Sequence, residues 1–297
     1  MIVVRIISGL GNQLFQYAVG RQLSLRNNTS LLLDTAFYGN HRLRSFQLEH
    51  FNIPPSVLHG KGFLRLGLSL FRKHPFVHRA YSKSQQLFFG RMKKLISEKE
   101  DWLYDERVDA VKKHAYLNGY WQNWRYFSHF PPAIRRELTV KEAQLTSIQK
   151  EIDEISANRF STSLHIRRGD YVTNSYMAQL MGVQPLEYYQ KAIDVIRQEI
   201  KQPFLYVFSD DLNWAKDHLK WDGPTRFIDV ENGTKDYLEL DLMRRCRHNI
   251  IANSSFSWWG AFLNENPDKI VVAPRRWVVP ESINERIEIC FPNWTRI

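Results

Sequence analysis

The chain has 297 residues, of which 43% are hydrophobic and 24% are charged. That composition excludes intrinsic disorder for most of the chain, and the length suits one large or two ordinary domains. Lys and Arg outnumber Asp and Glu by 41 to 31, a formal net charge of +10, which points to an anionic partner such as a nucleotide, a nucleic acid or a lipid surface. The two cysteines, Cys246 and Cys290, have no metal-ligand spacing, so we expect neither a zinc site nor a disulfide framework.

The first part of the chain predicts a β-α-β unit. Apolar residues 2–7 predict a strand, residues 8–13 a tight loop, and the helical spacing of apolar residues over 14–25 predicts a helix. Residues 30–34 predict the second strand. The opening apolar run is too short for a signal sequence or a membrane span, so a cytoplasmic location is expected.

The second half of the chain alternates strands with helices. After an amphipathic segment at 101–113 and a polar helical stretch at 141–157, strands are predicted at 163–166, 204–208, 249–252 and 270–273, and helices at 186–200, 212–219 and 235–246. This alternation is typical of a parallel sheet with helices on both faces. We therefore predict two Rossmann-like halves, residues 1–150 and 151–297, with ligands bound beyond the carboxyl ends of their strands.

The first strand is followed by Gly9-Leu10-Gly11-Asn12-Gln13. Glycines let a ligand approach the backbone closely, and a helix N-terminus favours an anion. Two alternatives stay open, an ordinary turn and a dinucleotide fingerprint, because Asp34 lies 23 residues after Gly11. Leu14 stands where the third fingerprint glycine belongs, which argues against the dinucleotide.

A second strand end carries His165-Ile166-Arg167-Arg168-Gly169-Asp170-Tyr171. Two adjacent arginines are costly to bury without an anion, and a diphosphate accepts bidentate, charge-assisted hydrogen bonds from them. The alternative is an internal ion pair with Asp170.

Two further strand ends carry polar groups. Asp210 and Asp211, after Ser209, suit a ribose or a guanine, or else cap the next helix. The hydroxyls and amides of Asn253-Ser254-Ser255-Phe256 suit an anion, or else Ser255 is a plain N-cap with Trp258 and Trp259 in the core. Consecutive aspartates lack metal-site spacing, and Glu239-x-Asp241 lies in a helical pattern, so no metal is expected.

At these four places together the sequence resembles the α-1,2-fucosyltransferases of glycosyltransferase family 11. The likeness is carried by residues 9–18, 165–171, 208–211 and 249–261. It implies an α/β, GT-B-like fold in which two Rossmann-like domains face each other across a cleft. It also implies inverting transfer of fucose from GDP-fucose to a terminal β-galactoside, without a metal or another cofactor, residues 1–150 forming the acceptor side and 151–297 the donor side.

With that resemblance, each candidate residue has an expected role. Donor contacts are expected from Gly11, Asn12, Gln13, His165, Arg167, Arg168, Ser209, Asp210, Asp211, Asn253, Ser254, Ser255 and Phe256. Acceptor contacts are expected from Gln13, Asp170, Tyr171 and Trp121. Arg167 and Arg168 stabilise the departing diphosphate, and Asn12 orients a sugar. The acceptor proton goes to His165, to Asp170 or, preferably, to the leaving phosphate.

Residues 50–97 hold nine Lys and Arg and no acid, so that the rest of the chain has a net charge of only +1. Aromatic and aliphatic residues alternate with these cations, which suits a membrane surface better than nucleic acid. We therefore expect no nucleic-acid partner, and peripheral contact with the anionic inner face of a membrane, the alternative being a solvated helical face.

Overall fold

The computed structural model describes residues 1–39, 44–59, 95–230 and 235–297. The chain divides into two compact units, an N-terminal unit, Met1–Leu138, and a C-terminal unit, Thr139–Ile297. The division lies at 138/139, against the expected 150/151.

Residues 60–94, which contain all nine cations of the basic segment, lie outside the described residues, and so does the expected membrane contact. Among the described residues, no helix is long and apolar enough to span a bilayer.

The N-terminal unit is built on a parallel sheet. Its strands are β1 (Ile2–Arg5), β2 (Leu31–Asp34), β3 (Leu58–His59), β4 (Leu95–Ser97) and β5 (Ala115–Asn118), in the spatial order β3-β2-β1-β5-β4. Its α-helices among the described residues are α1 (Leu10–Arg26) and α2 (Pro132–Glu137). Ile2 pairs with Leu31 on one side and with Ala115 on the other. Since β5 lies directly beside β1, the strand order reverses there, and this reversal marks the usual ligand position in such sheets.

Helix α1 begins earlier than the sequence predicts. The backbone N–H groups of Asn12 and Gln13 both donate to Gly9 O, at 3.0 and 3.1 Å, so Gly11, Asn12 and Gln13 form the first helical turn and not a loop. The backbone turns at Ser8, one residue before the N-cap Gly9, with a φ of 70°. The amphipathic segment 101–113 forms no α-helix, and its regular structure is a short 3-10 helix, Glu106–Val108.

The C-terminal unit contains a second parallel sheet. Its strands are β6 (Ser161–Ile166), β7 (Phe204–Ser209), β8 (Thr225–Phe227), β9 (His248–Ile250), β10 (Val271–Ala273) and β11 (Thr295–Arg296), in the order β11-β10-β9-β6-β7-β8. Its helices are α3 (Glu142–Leu145), α4 (Gln149–Ala157), α5 (Gly169–Thr173), α6 (Ser175–Leu180), α7 (Leu186–Glu199), α8 (Leu212–His218), α9 (Asp236–Arg245), α10 (Ser255–Leu263) and α11 (Glu281–Asn284). This is the doubly wound order of Rossmann folds, with the reversal between β6 and β9.

One hydrophobic core of the C-terminal unit lies between the sheet and α7. Tyr189, Ala192, Ile193 and Ile196 are buried on one face of that helix and pack against strand residues such as Leu164. Their i, i+3, i+4, i+7 spacing is the pattern of an amphipathic helix, and burying each large side chain contributes about 1.5–3 kcal/mol. This packing fixes the carboxyl ends of β6 and β7.

Candidate active site

The carboxyl ends of β6 and β7 approach each other closely at Gly169. A Cβ added to Gly169 would collide with the Asp210 carboxylate, so a larger residue here would displace that carboxylate from its present position. Asp210 Oδ1 accepts a hydrogen bond from the backbone N–H of Arg168 at 2.8 Å. The two arginines after β6 are therefore held against the acidic residues after β7.

Arg167 is paired with two carboxylates within the C-terminal unit. Its Nη2 donates to Asp170 Oδ1 at 2.5 Å, and its Nη1 donates to Asp210 Oδ2 at 2.8 Å. The guanidinium also lies over the Tyr171 ring, 5.2 Å from its centroid. The alternative of an internal pair with Asp170 is thus confirmed for Arg167, and an arriving anion would have to share its guanidinium with two carboxylates.

Arg168 is held in a different way. Its Nε donates to Asp211 Oδ2 at 3.1 Å, and its guanidinium stacks on the Trp214 ring at 3.8 Å from the centroid. Within the described ranges, neither Nη atom has a hydrogen-bond partner, and 17% of the side chain is exposed. Arg168 is therefore pre-oriented with two N–H-bearing nitrogens available to an anionic ligand.

The residues that hold Arg168 also begin the next helix. Asp211 Oδ1 accepts from Trp214 N at 3.2 Å and so caps α8, which confirms the predicted cap. Ser209 Oγ accepts from Asp211 N at 3.0 Å. The Asp211 carboxylate thus performs two tasks, one for each of its oxygens.

His165 is buried beside these charges. Burial, with a smaller contribution from the positive charge of Arg167, lowers the pKa of His165 to about 3, so the imidazole is neutral at physiological pH. Its ring lies 5.7 Å from the Phe256 ring, and its Nδ1 has no hydrogen-bond partner among the residues described. A neutral buried ring suits a hydrogen bond to a ligand better than it suits a base that must hold a proton.

Asn253, after β9, has its side-chain nitrogen committed inside the unit, whereas its buried Oδ1 has no hydrogen-bond partner among the described residues. Its Nδ2 donates to the backbone oxygens of Met181, Gly182 and Trp277 at 2.8, 3.1 and 3.0 Å. Its backbone oxygen accepts from the Tyr171 hydroxyl at 3.0 Å. The side-chain nitrogen expected to contact the donor therefore serves to join three loops of the C-terminal unit, and the Tyr171 hydroxyl is likewise used internally.

The start of α10 differs from prediction by one residue. Ser254 Oγ accepts from Phe256 N at 3.3 Å and is the N-cap, whereas one of the two alternatives for this segment placed the N-cap at Ser255. Trp258 and Trp259 are fully buried, as the same interpretation predicted. Ser255 and Phe256 lie half-buried in the first helical turn, where backbone N–H groups favour an anion.

In the N-terminal unit, Gln13 is fully buried and its amide is used by the backbone. Its Nε2 donates to Ser8 O at 3.1 Å and Ser45 O at 2.9 Å, and its Oε1 accepts from Gln47 N at 2.9 Å. Gln13 joins residues 45–47 to the turn before α1. The Gln13 amide thus has a structural role, and its contact with donor or acceptor stays a prediction.

Asn12 is the half-buried amide of the same helical turn. Its Nδ2 donates to Ser8 Oγ at 2.9 Å, and its Oδ1 accepts from Gln122 Nε2 at 2.6 Å. Gln122 is not among the predicted site residues, although it lies four residues after β5, beside the strand reversal. Trp121, expected to contact the acceptor, is fully buried, so its indole has no face open to a sugar in this structure.

Asp34, on which the dinucleotide alternative depends, is buried at the end of β2. Its Oδ1 accepts from Ala36 N at 3.1 Å and its Oδ2 from the Tyr116 hydroxyl at 2.8 Å. Both oxygens are therefore used by the fold, and a cofactor ribose would have to displace one of these bonds.

A cavity of about 230 Å³ lies at the carboxyl end of β8, between residues 147–151 and 226–230. It was not predicted. Arg226 on its wall is paired with Glu151 at 2.8 Å and also with Glu154. Across residues 1–39, 44–59, 95–230 and 235–297, no group of three or more His, Cys, Asp or Glu side chains is arranged to hold a metal ion.

Comparison with known proteins gives one consistent assignment. The family model described as glycosyl transferase family 11 matches residues 1–297. The chain is 33% identical to an α-1,2-colitosyltransferase of Escherichia coli over 100% of this chain and 99% of that protein. It is 32% identical to the O-antigen biosynthesis glycosyltransferase WbnK of E. coli over 97% and 98%.

Among solved structures, a mutant of Arabidopsis thaliana FUT1 in complex with GDP aligns with a TM-score of 0.52 at 12% identity, covering 95% of this chain and 72% of that one. Together with the two parallel sheets, this likeness confirms the expected α/β, GT-B-like fold. The chain therefore belongs to glycosyltransferase family 11.

Proposed function

We propose that this glycosyltransferase moves L-fucose from GDP-β-L-fucose to the 2-hydroxyl of a terminal β-galactoside, with inversion and without a metal ion. Family membership supports a fucosyltransferase-like activity, and the α-1,2 linkage is the one in the name of the 33% identical relative. The observation that carries the proposal is Arg168, clamped by Asp211 and Trp214 with both Nη atoms available to an anion.

In this proposal the C-terminal unit binds the donor. The oxocarbenium-like transition state places negative charge on the departing GDP, and Arg168 stabilises that charge together with the N–H groups at the start of α10. Arg167 holds Asp170 and Asp210 in place, and so keeps the turn around Gly169 closed. His165 supplies a neutral hydrogen bond.

The acceptor proton passes to the leaving diphosphate in this proposal. Asp170 accepts from Arg167 at 2.5 Å, so this carboxylate is already engaged by a cation inside the unit. The low pKa of His165 means that its imidazole holds a proton poorly. The N-terminal unit supplies the acceptor side, where Asn12 orients a sugar.

A donor and acceptor panel with linkage analysis of the product tests this function. GDP-fucose and GDP-colitose would each be offered with lactose, N-acetyllactosamine and a lipopolysaccharide side chain, with and without excess EDTA. We expect an α-fucosyl product on O2 of galactose, formed equally with EDTA. Preference for GDP-colitose would shift the assignment to the sugar named in the relative, and loss of activity in EDTA would contradict the metal-free route.

A thermal-shift measurement separates this function from the dinucleotide alternative. GDP is expected to raise the melting temperature and NAD is not, because Asp34 is already bonded within the fold. A shift with NAD and none with GDP would contradict the proposed donor site.

A further inference from the structure

A chain of side-chain hydrogen bonds leads to Asn12 from the interior of the N-terminal unit. Trp102 Nε1 donates to Gln122 Oε1 at 3.0 Å, and Gln122 Nε2 donates to Asn12 Oδ1 at 2.6 Å. Trp102 and Gln122 are both buried. The chain therefore joins a buried indole to the half-buried amide at the start of α1.

The direction of this chain is set by its first member. An indole N–H donates and cannot accept, so it must face the carbonyl oxygen of Gln122. The amide nitrogen of Gln122 is then turned toward Asn12, which must present its oxygen. Asn12 Nδ2 is consequently directed to Ser8 Oγ, at 2.9 Å. One buried donor thus fixes the orientation of two amides in succession.

The backbone around this chain is held in costly conformations. Of the four non-glycine residues with positive φ in the described part of the molecule, three lie here, Ser8 at 70°, Trp102 at 65° and Trp121 at 59°. Each such residue costs about 1–3 kcal/mol, and strain of this kind collects where surrounding structure must hold a side chain in place. Glu98 braces the turn at Trp121, since its carboxyl oxygens accept from Tyr120 N at 2.5 Å and Trp121 N at 3.0 Å.

We propose that Trp102 and Gln122 are positioning residues that fix which way round the Asn12 amide faces. The inference rests on the proposed function, in which Asn12 orients a sugar. Turning the Asn12 amide by 180° exchanges its oxygen and nitrogen. A sugar hydroxyl that accepts a hydrogen bond from the amide nitrogen would then face the amide oxygen, which has no hydrogen to donate. Such a change affects the productive geometry of the bound sugar and leaves the donor-binding groups of the C-terminal unit unchanged.

The Gln122→Glu variant tests the orientation directly. A carboxylate still accepts from Trp102 but has no hydrogen to donate, so its second oxygen would repel Asn12 Oδ1 and turn that amide. We expect kcat to fall about 10²-fold, while the melting-temperature increase given by GDP stays the same. Gln198→Glu, the same change at an exposed position of α7, is the matched control and should keep the wild-type kcat.

Trp102→Phe tests whether the indole acts through Gln122. Without the N–H donor, both orientations of the Gln122 amide become available, and we expect kcat to fall about five- to tenfold, the equivalent of one hydrogen bond. In Gln122→Glu the two carboxylate oxygens are equivalent, so the indole N–H of Trp102 no longer selects between two orientations. The double variant Trp102→Phe/Gln122→Glu should therefore be no slower than Gln122→Glu. Fully additive losses would overturn the proposal, because they would show that Trp102 affects the rate by another route.

Different measurements contradict the proposed function and the positioning role of Trp102 and Gln122. If the wild-type chain transfers fucose to no β-galactoside, the proposed function is wrong. If the wild type is active and Gln122→Glu retains its kcat, the positioning role is wrong and the proposed function stands. A fall in melting temperature with unchanged kcat in both variants would likewise overturn the positioning role, because it would reduce these contacts to structural support.

Discussion

The carboxyl edges of the two sheets are built from different chemistry. In the C-terminal unit, charged groups hold one another, with Arg167 between Asp170 and Asp210 and Arg168 on Asp211. In the N-terminal unit, the start of α1 is held by the neutral amides of Asn12 and Gln122, and the acidic side chains Asp34 and Glu98 bond to backbone N–H and hydroxyl groups instead of to cations. Charged pairs suit an anionic ligand, whereas fixed amides suit a neutral, hydroxyl-rich one. The difference matches the proposed division between a nucleotide-sugar donor and a sugar acceptor.

The largest effect is expected from removing Arg168. In Arg168→Ala the donor's diphosphate loses a pre-oriented guanidinium, and kcat should fall about 10²–10³-fold, as when one oxyanion-stabilising donor is lost. Steady-state kinetics at saturating donor measures this. Arg197→Ala is the control, because Arg197 is a half-exposed arginine of the same unit, paired with Asp194 at 3.6 Å, and its loss should leave kcat unchanged. Normal kcat in Arg168→Ala would remove the diphosphate role.

In the C-terminal unit, the half-buried Glu239 should make the stability of the protein depend on pH, because acidic residues at the carboxyl edge of the sheet lie near it. Burial, together with Asp236, Asp229 and Asp210, raises the pKa of Glu239 to about 8, against a backbone N–H bond from Val230 that lowers it. The folded state therefore binds this proton more tightly than the unfolded state. Its contribution to the free energy of unfolding is complete below about pH 4.5 and is lost as pH rises toward 8.

Glu239→Gln should remove that part of the pH dependence. Chemical denaturation of wild type and variant from pH 5 to 8.5 gives the difference in unfolding free energy, which should change in favour of the variant as pH rises. Glu265→Gln, at an exposed carboxyl of the same unit, should run parallel to the wild type. A constant difference between wild type and Glu239→Gln would contradict the raised pKa.

In the N-terminal unit, stability should depend on the Glu98 carboxyl group, which accepts hydrogen bonds from the backbone at Tyr120 and Trp121. Glu98→Ala leaves the N–H groups of Tyr120 and Trp121 without their carboxylate acceptor, and each unsatisfied buried donor costs about 1–3 kcal/mol. Thermal unfolding should show a lower melting temperature than wild type. Glu106→Ala, an exposed position in the 3-10 helix, should not. Equal stability of the two variants would show that the turn at Trp121 does not depend on the hydrogen bonds to Glu98.

Strands, helices and helix caps were predictable where they depend on residues that are close together in the sequence. The strands at 204–208 and 163–166 were placed to within two residues at either end, and Asp211 was identified as a possible cap because a cap needs only the next turn of helix. The pairing of Arg167 with Asp170 spans three residues and was weighed for the same reason.

Contacts across the sheet order were not predictable from the sequence. Gln122 reaches Asn12 only because β5 lies beside β1, a neighbour relation that no local pattern encodes. Asn253 was predicted to contact the donor, yet its side-chain nitrogen bonds to backbone oxygens of residues 181, 182 and 277, which come from two distant loops. Buried amides take whatever carbonyl groups the tertiary fold leaves unpaired, and sequence spacing does not show which these are.

The smallest effect expected is on the Michaelis constants in salt, and it tests the comparison of the two edges most directly. Raising ionic strength from about 0.05 to 0.5 M shortens the screening length several-fold. The donor KM should rise a few-fold, limited because the side chain of Arg168 is only 17% exposed. The acceptor KM should stay constant, since Asn12 and Gln122 carry no charge. A salt-dependent acceptor KM with a constant donor KM would reverse the assignment of the two edges, because the charged groups would then serve the acceptor.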